Sequence, residues 1–141
     1  MANAHTSHSA VRVLLVDDFE PFRRTVRSIL ARQPELQVVG EAADGFEAFQ
    51  KAEALNPDLI LLDIGLPSLN GIEVANRLCS SGAKVLFVTG NNDADVVRAA
   101  LSNGAKGYVL KVDAGSELLL AIKAILRGEK FVSSGTKRDG F

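Results

Sequence analysis

The sequence predicts a three-layer, doubly wound α/β domain, with a parallel sheet between two layers of helices. Two observations carry that expectation. Short apolar runs alternate with longer segments of helical period, which implies right-handed crossovers and parallel pairing. The central strands are continuously apolar, as a sheet covered on both faces requires.

Residues 11–16 (VRVLLV) read as the first strand. A helix over 19–33 follows, with Phe22, Val26, Ile29 and Leu30 at helical spacing, and Pro34 ends it. The second strand is expected at 36–43 and the second helix at 45–55, with Phe46, Ala48, Phe49 and Ala52 inward and Asn56-Pro57 as its breaker. Residues 58–62 (DLILL) form the third strand. A loop with Gly65, Pro67 and Asn70-Gly71 leads to a helix from 72 to about 80. The fourth strand covers 84–88 and the fourth helix 93–102, closed by Asn103-Gly104. The fifth strand is 106–110. The last helix is 113–127, amphipathic through Leu118, Leu119, Ile122, Ile125 and Leu126.

The length of 141 residues suits one domain, and 47% hydrophobic content is enough to build a core. With 16 basic and 17 acidic residues, the net charge of −1 makes no electrostatic case for nucleic acid or an anionic membrane. No apolar run approaches the roughly 20 residues of a membrane span. The single cysteine, Cys79, allows no internal disulfide and fits a reducing cytoplasm. It reads as a small helix residue. Residues 1–10 read as a disordered leader rather than a secretory signal, and His5 and His8 within it as solvated tail residues.

Chemistry gathers at the strand ends. Asp17 and Asp18 follow the first strand, Asp63 the third, Thr89 the fourth and Lys111 the fifth. In doubly wound sheets, ligands sit at the carboxyl ends of the strands near the point where strand order reverses. Singly, each residue has a plain structural reading: Asp18 as a cap for the helix near Phe19, Thr89 as a strand end. Capping does not require four strand ends to aim at one place. Three carboxylates so close repel one another unless a cation intervenes. All-oxygen donors select a hard ion, and Mg2+ suits a few carboxylates together with phosphate oxygens. No Cys/His set for zinc is present. Such an ion beside Lys111 makes a site for a phosphoryl group, with Asp63 as the nucleophile that would form an aspartyl phosphate.

Four stretches then match a known family: VLLVDD at 13–18, LILLDIGLPSLNGIE at 59–73, VLFVTG at 85–90 and GYVLK at 107–111. Over residues 11–128 the chain resembles the receiver domain of two-component response regulators, and is similar in motif to the LuxR-type (NarL/FixJ-like) branch. The resemblance implies a flavodoxin-like sheet of five parallel strands in the order 2-1-3-4-5. It implies Asp63 as phosphoacceptor. The metal set it implies is Asp18 as a direct Mg2+ ligand, Asp17 acting mostly through a coordinated water, Asp63, and the backbone carbonyl of Gly65. Thr89 would hydrogen-bond the installed phosphoryl group, and Lys111 would pair with the aspartate and then with a phosphate oxygen. Tyr108 would be the switch aromatic that turns inward as Thr89 moves; its plain alternative is an exposed strand aromatic. Gly65, Gly90 and Asn91 lie where the family tunes phosphoryl lifetime. One departure stands out: Val112 follows the active-site Lys, where the family usually has Pro and often a cis bond. A cis bond before a non-proline costs about 2.5–4 kcal/mol, so a trans bond or an altered loop is expected.

The implied function is that of a signalling domain rather than an enzyme. It would accept a phosphoryl group from a sensor histidine kinase or phosphotransfer protein and change conformation to drive an output, with a homodimer also allowed. The stretch RGEKFVSSG at 127–135, which runs into the tail at 129–141, resembles the segment joining a LuxR-type receiver to a helix-turn-helix domain. Two readings stay open: a single-domain regulator, or the receiver half of a DNA-binding regulator, touching DNA only through a domain outside this chain. Two other classes fit less well. A flavodoxin-type carrier needs a Ser/Thr/Gly-rich phosphate loop where Asp17-Asp18 would repel flavin phosphate. A Mg2+-dependent phosphatase usually carries two aspartates spaced one apart, whereas Gly65 stands two after Asp63.

Overall fold

The computed structural model of the chain describes residues 10–66 and 71–133. Expectations for His5, His8, Pro67, Asn70 and the chain from 134 onward lie outside the described residues.

Strands β1 (Val11–Val16), β2 (Leu36–Ala42), β3 (Leu59–Leu62), β4 (Lys84–Thr89), β5 (Gly107–Leu110) and β6 (Phe131–Val132) alternate with helices α1 (Glu20–Leu30), α2 (Gly45–Leu55), α3 (Gly71–Cys79), α4 (Ala94–Ser102) and α5 (Ala114–Leu126). They form one sheet in the order β2-β1-β3-β4-β5-β6. Every neighbouring pair is parallel. The expected order holds, with one correction: the sheet has six strands. Phe131 and Val132, read as tail, pair with Gly107 and Tyr108. Fold and order match the solved structures described below.

Strand alternation divides the core in two. Leu14, Val16, Ile60, Leu62, Val85 and Phe87 point to one side and pack with Ala48 and Ala52 of α2, Val74 and Leu78 of α3, and Val97 and Ala100 of α4. Val13, Leu15, Leu59, Leu61, Leu86 and Val88 point to the other, against Val26, Ile29 and Leu30 of α1 and Leu118, Ile122 and Ile125 of α5. Residues two apart on a strand share a face, so strands apolar at every position feed both layers.

The ends of the helices follow local chemistry. Asp44 accepts from the amide of Glu47 at 2.8 Å and caps α2, which closes on Asn56 in the left-handed conformation at φ 47°. Asp93, expected inside α4, is its cap and accepts from the amides of Asp95 and Val96. The N-cap of α1 is Phe19 and no side chain caps the helix, so the plain reading of Asp18 as a cap does not hold. Asp17 Oδ1 accepts from the Phe19 amide at 2.8 Å. Phe46 also departs from expectation: it is 58% exposed, not core.

Lys111 opens a short 3-10 turn, Lys111–Asp113, that leads into α5. No described peptide bond is cis, so the Lys111–Val112 bond is trans as expected for this departure.

Candidate functional site

β1 and β3 are neighbours within the sheet, and the chain leaves them in opposite directions along the strand order. That is the switch point, and it sets Asp17 beside Asp63. The Asp63 amide donates to the Val16 carbonyl at 3.0 Å, continuing the ladder to the residue that carries the carboxylate. Asp17, Asp18 and Asp63 can each offer an oxygen within 4.8 Å of the others. Asp17 and Asp63 are buried, at 5% and 7% exposure, while Asp18 faces solvent.

Lys111 reaches in from the end of β5. Its Nζ lies 2.8 Å from Asp17 Oδ2 and 3.3 Å from Asp63 Oδ2. The expected Lys111–Asp63 pair is present, but Asp17 is the nearer partner. Burial works against the lysine's charge; the hydrogen bond to Asp17 and the charges of Asp63 and Asp17 outweigh it and hold the pKa above the ordinary lysine value. Burial raises the Asp17 pKa, and the Asp63 charge adds to that despite the pull of Lys111.

Charge decides what else the site can hold. When all three acids are ionised, three carboxylates against one ammonium leave two excess negative charges. Like charges 4 Å apart cost about 4 kcal/mol at an effective dielectric of 20. One divalent cation balances the excess, and the donors are all hard carboxylate oxygens, the set Mg2+ takes. The residues present therefore fit that ion. Gly65, in the turn after β3, donates its amide to Asp63 Oδ1 at 3.1 Å.

Thr89 is the last residue of β4, not the one after it, and is 2% exposed. Its hydroxyl accepts from the Asn91 amide at 3.4 Å, and the Asn91 carbonyl accepts from the Tyr108 hydroxyl at 2.5 Å. Tyr108 is fully buried, so it is not an exposed strand aromatic, and the inward position expected only after Thr89 moves is the one it already holds. Burial, then the charges of Asp63 and Asp93, raise its phenol pKa. The peptide of Asn91 thus connects Thr89 and Tyr108.

Two residues at the site, Arg23 and Phe22, had no place in the expected chemistry. Arg23 donates from Nη1 to the Asp17 carbonyl and from Nε to Glu41 at 2.8 Å. The Phe22 ring lies under the Lys111 ammonium, 4.7 Å from centroid to Nζ. Asn91, expected where the family tunes phosphoryl lifetime, also links Thr89 to Tyr108. The helical period placed Phe22 on the inner face of α1; only the turn that brings β5 alongside shows what it touches.

A doubly wound parallel sheet with three carboxylates, a buried hydroxyl and an ammonium at its carboxyl edge defines a class of α/β domain whose acidic pocket lies at the switch point. Within that class, the chain belongs to the response regulator receiver domain family, which it matches over residues 13–123. The nitrate/nitrite response regulator protein NarL of Escherichia coli is 40% identical over 124 residues, 86% of this chain and 57% of that one. The transcriptional regulatory protein LiaR of Bacillus subtilis is 37% identical over 126 residues, 88% of this chain and 60% of that one. The chain therefore spans little more than half the length of these relatives. A LuxR-family two-component response regulator from Aurantimonas sp. superposes with a TM-score of 0.86 at 34% identity, covering 92% of this chain and 94% of that one. Receiver domains are signalling domains that work with histidine kinases, and the family in general binds Mg2+. No helix among the described residues is long and apolar enough to cross a membrane.

Proposed function

We propose that this receiver takes a phosphoryl group on Asp63 from the phosphohistidine of a sensor kinase or phosphotransfer protein and relays the event through Thr89 and Tyr108. The observation that carries the reading is the meeting of Asp17, Asp18 and Asp63 around the Lys111 ammonium. A carboxylate oxygen of Asp63 would attack phosphorus. The new O–P bond forms as the N–P bond breaks, and the histidine nitrogen keeps the electron pair and takes up a proton. Asp17, Asp18, Asp63 and the Gly65 carbonyl would hold Mg2+, with Asp18 the most direct ligand. The ion would screen one anion from another and stabilise charge developing on the transferring group. Lys111 would neutralise a phosphate oxygen.

The switch works by competition for Thr89. Its hydroxyl now faces the Asn91 amide. A phosphoryl oxygen on Asp63 offers a charged acceptor, and charge-assisted hydrogen bonds are roughly twice as strong as neutral ones. Drawing Thr89 toward it would disturb the Asn91 peptide that receives the Tyr108 hydroxyl, changing the face made by α4 and β5. A partner would read that face. On a LuxR-type reading that partner would be a second receiver, with DNA touched only through an output domain outside this chain. The domain would act in the cytoplasm.

The test is incubation with acetyl phosphate and Mg2+, followed by intact-mass measurement. One phosphoryl group should add to the wild type, none when Mg2+ is chelated, and none to Asp63→Asn. Release of inorganic phosphate over many turnovers without a labelled protein would favour a phosphatase instead.

A further inference from the structure

Lys111 must hold its place while its neighbours change chemistry. Its ammonium meets Asp17 at 2.8 Å, Asp63 at 3.3 Å and the Phe22 ring face at 4.7 Å from the centroid. Phosphorylation would turn the Asp63 carboxylate into an acyl phosphate, a mixed anhydride, and a cation at the acidic pocket would share Asp17. Of these three partners, only the ring keeps the same electrostatic character before and after transfer. The turn that carries Lys111 is tied at its far end through Asp113 to Ser133, while Val112, next to the lysine, is 89% exposed.

Phe22 is well placed to act as a fixed support. It lies in the first turn of α1, its amide donates to the Phe19 carbonyl at 3.0 Å, and its side chain packs against the core layer shared by α1 and α5. The next residue, Arg23, donates to the Asp17 carbonyl. One helical turn therefore touches both the lysine and the backbone of its nearer carboxylate. A ring face attracts a cation, and more strongly where water is partly excluded; the Lys111 side chain is 24% exposed.

We propose that Phe22 is a positioning residue for phosphoryl transfer, whose ring face holds the Lys111 ammonium in reach of the incoming phosphoryl oxygens. This rests on the reading of Asp63 as phosphoacceptor. Phe22→Leu keeps an apolar side chain and removes the ring; Phe22→Tyr restores a ring face. Melting curves establish that both variants are folded.

Two measurements are made. In NMR spectra without phosphodonor, the Lys111 ε-methylene protons should be displaced by the ring current in wild type and Phe22→Tyr, and should return toward the ordinary lysine position in Phe22→Leu. With Mg2+ and subsaturating acetyl phosphate, Phe22→Leu should be phosphorylated about threefold to tenfold more slowly, with Phe22→Tyr recovering most of the rate. The proposal is overturned if the Lys111 signals are the same in wild type and Phe22→Leu. It is also overturned if the leucine variant keeps the wild-type rate, or if Phe22→Tyr is as slow as Phe22→Leu, which would indicate packing rather than a ring face. Failure of the wild type itself to take up phosphate would strike the reading of Asp63 and this role with it, while the NMR comparison would still report the contact.

Discussion

Glu41 sits on β2, away from the reacting atoms, yet its carboxylate holds two arginines of α1. Arg23 reaches it at 2.8 Å and Arg27 at 2.5 Å. Burial would raise the pKa of Glu41, but the hydrogen bonds from Arg23 and Arg27 outweigh it and bring it below the ordinary 4.5. A depressed folded-state pKa contributes stability that is fully present above the unfolded value and is lost as pH falls through the folded one. Glu41→Gln should therefore be less stable than wild type at neutral pH, by about 1 kcal/mol for a partly exposed pair network. Urea titrations across pH should show that gap closing only below pH 4.5. A gap unchanged into acid would mean that Glu41 acts through packing rather than charge. At this scale, the sequence revealed Asp17, Asp18, Asp63, Thr89 and Lys111, because strand ends in a parallel sheet converge whatever the side chains around them. Arg23 and Glu41 were not legible, since their meeting depends on the rotation of α1 relative to an edge strand far off in sequence.

The sixth strand shows how short elements escape notice at the scale of the element. Two residues carry no periodicity, so Phe131 and Val132 left no pattern to read. The structural reason for their docking lies in β5. A Cβ at Gly107 would come within 2.9 Å of the Phe131 carbonyl oxygen and 3.0 Å of both Ile125 and Leu86, so glycine is what lets β6 approach. Ser133 closes the strand. It is fully buried, its amide donates to the Tyr108 carbonyl at 2.8 Å, and its hydroxyl lies 2.6 Å from Asp113 and 2.8 Å from Glu117. Ser133→Ala withdraws a buried donor from those carboxylates and should cost about 1–3 kcal/mol in denaturant unfolding. Ser116→Ala, at an exposed site, should change stability by less than about 0.5 kcal/mol. Equal effects would mean that Ser133 does not hold the strand. Phe46 taught the converse lesson. The buried stripe of α2 is Gly45, Ala48 and Ala52, with Phe49 beside it, and Phe46 lies one position past that stripe on the first turn. Hydrophobicity at a roughly helical interval suggested core, but the exact phase of the helix turns the ring into solvent.

Across the whole molecule, one topological fact organises the rest. The order β2-β1-β3-β4-β5 was expected from motifs, and it places the ends of β1 and β3 side by side at the switch point. Both apolar layers hold that sheet beneath the acidic pocket, and the Asn91 peptide joins Thr89 to Tyr108 beside it. On the proposed mechanism Asp63, and no other group, carries the phosphoryl. Borohydride reduction after treatment with acetyl phosphate and Mg2+ converts an aspartyl phosphate to homoserine, which peptide mass spectrometry can locate. Homoserine at position 63 alone is the expected result; an unmodified residue 63, or conversion at Asp17 or Asp18 instead, would contradict it.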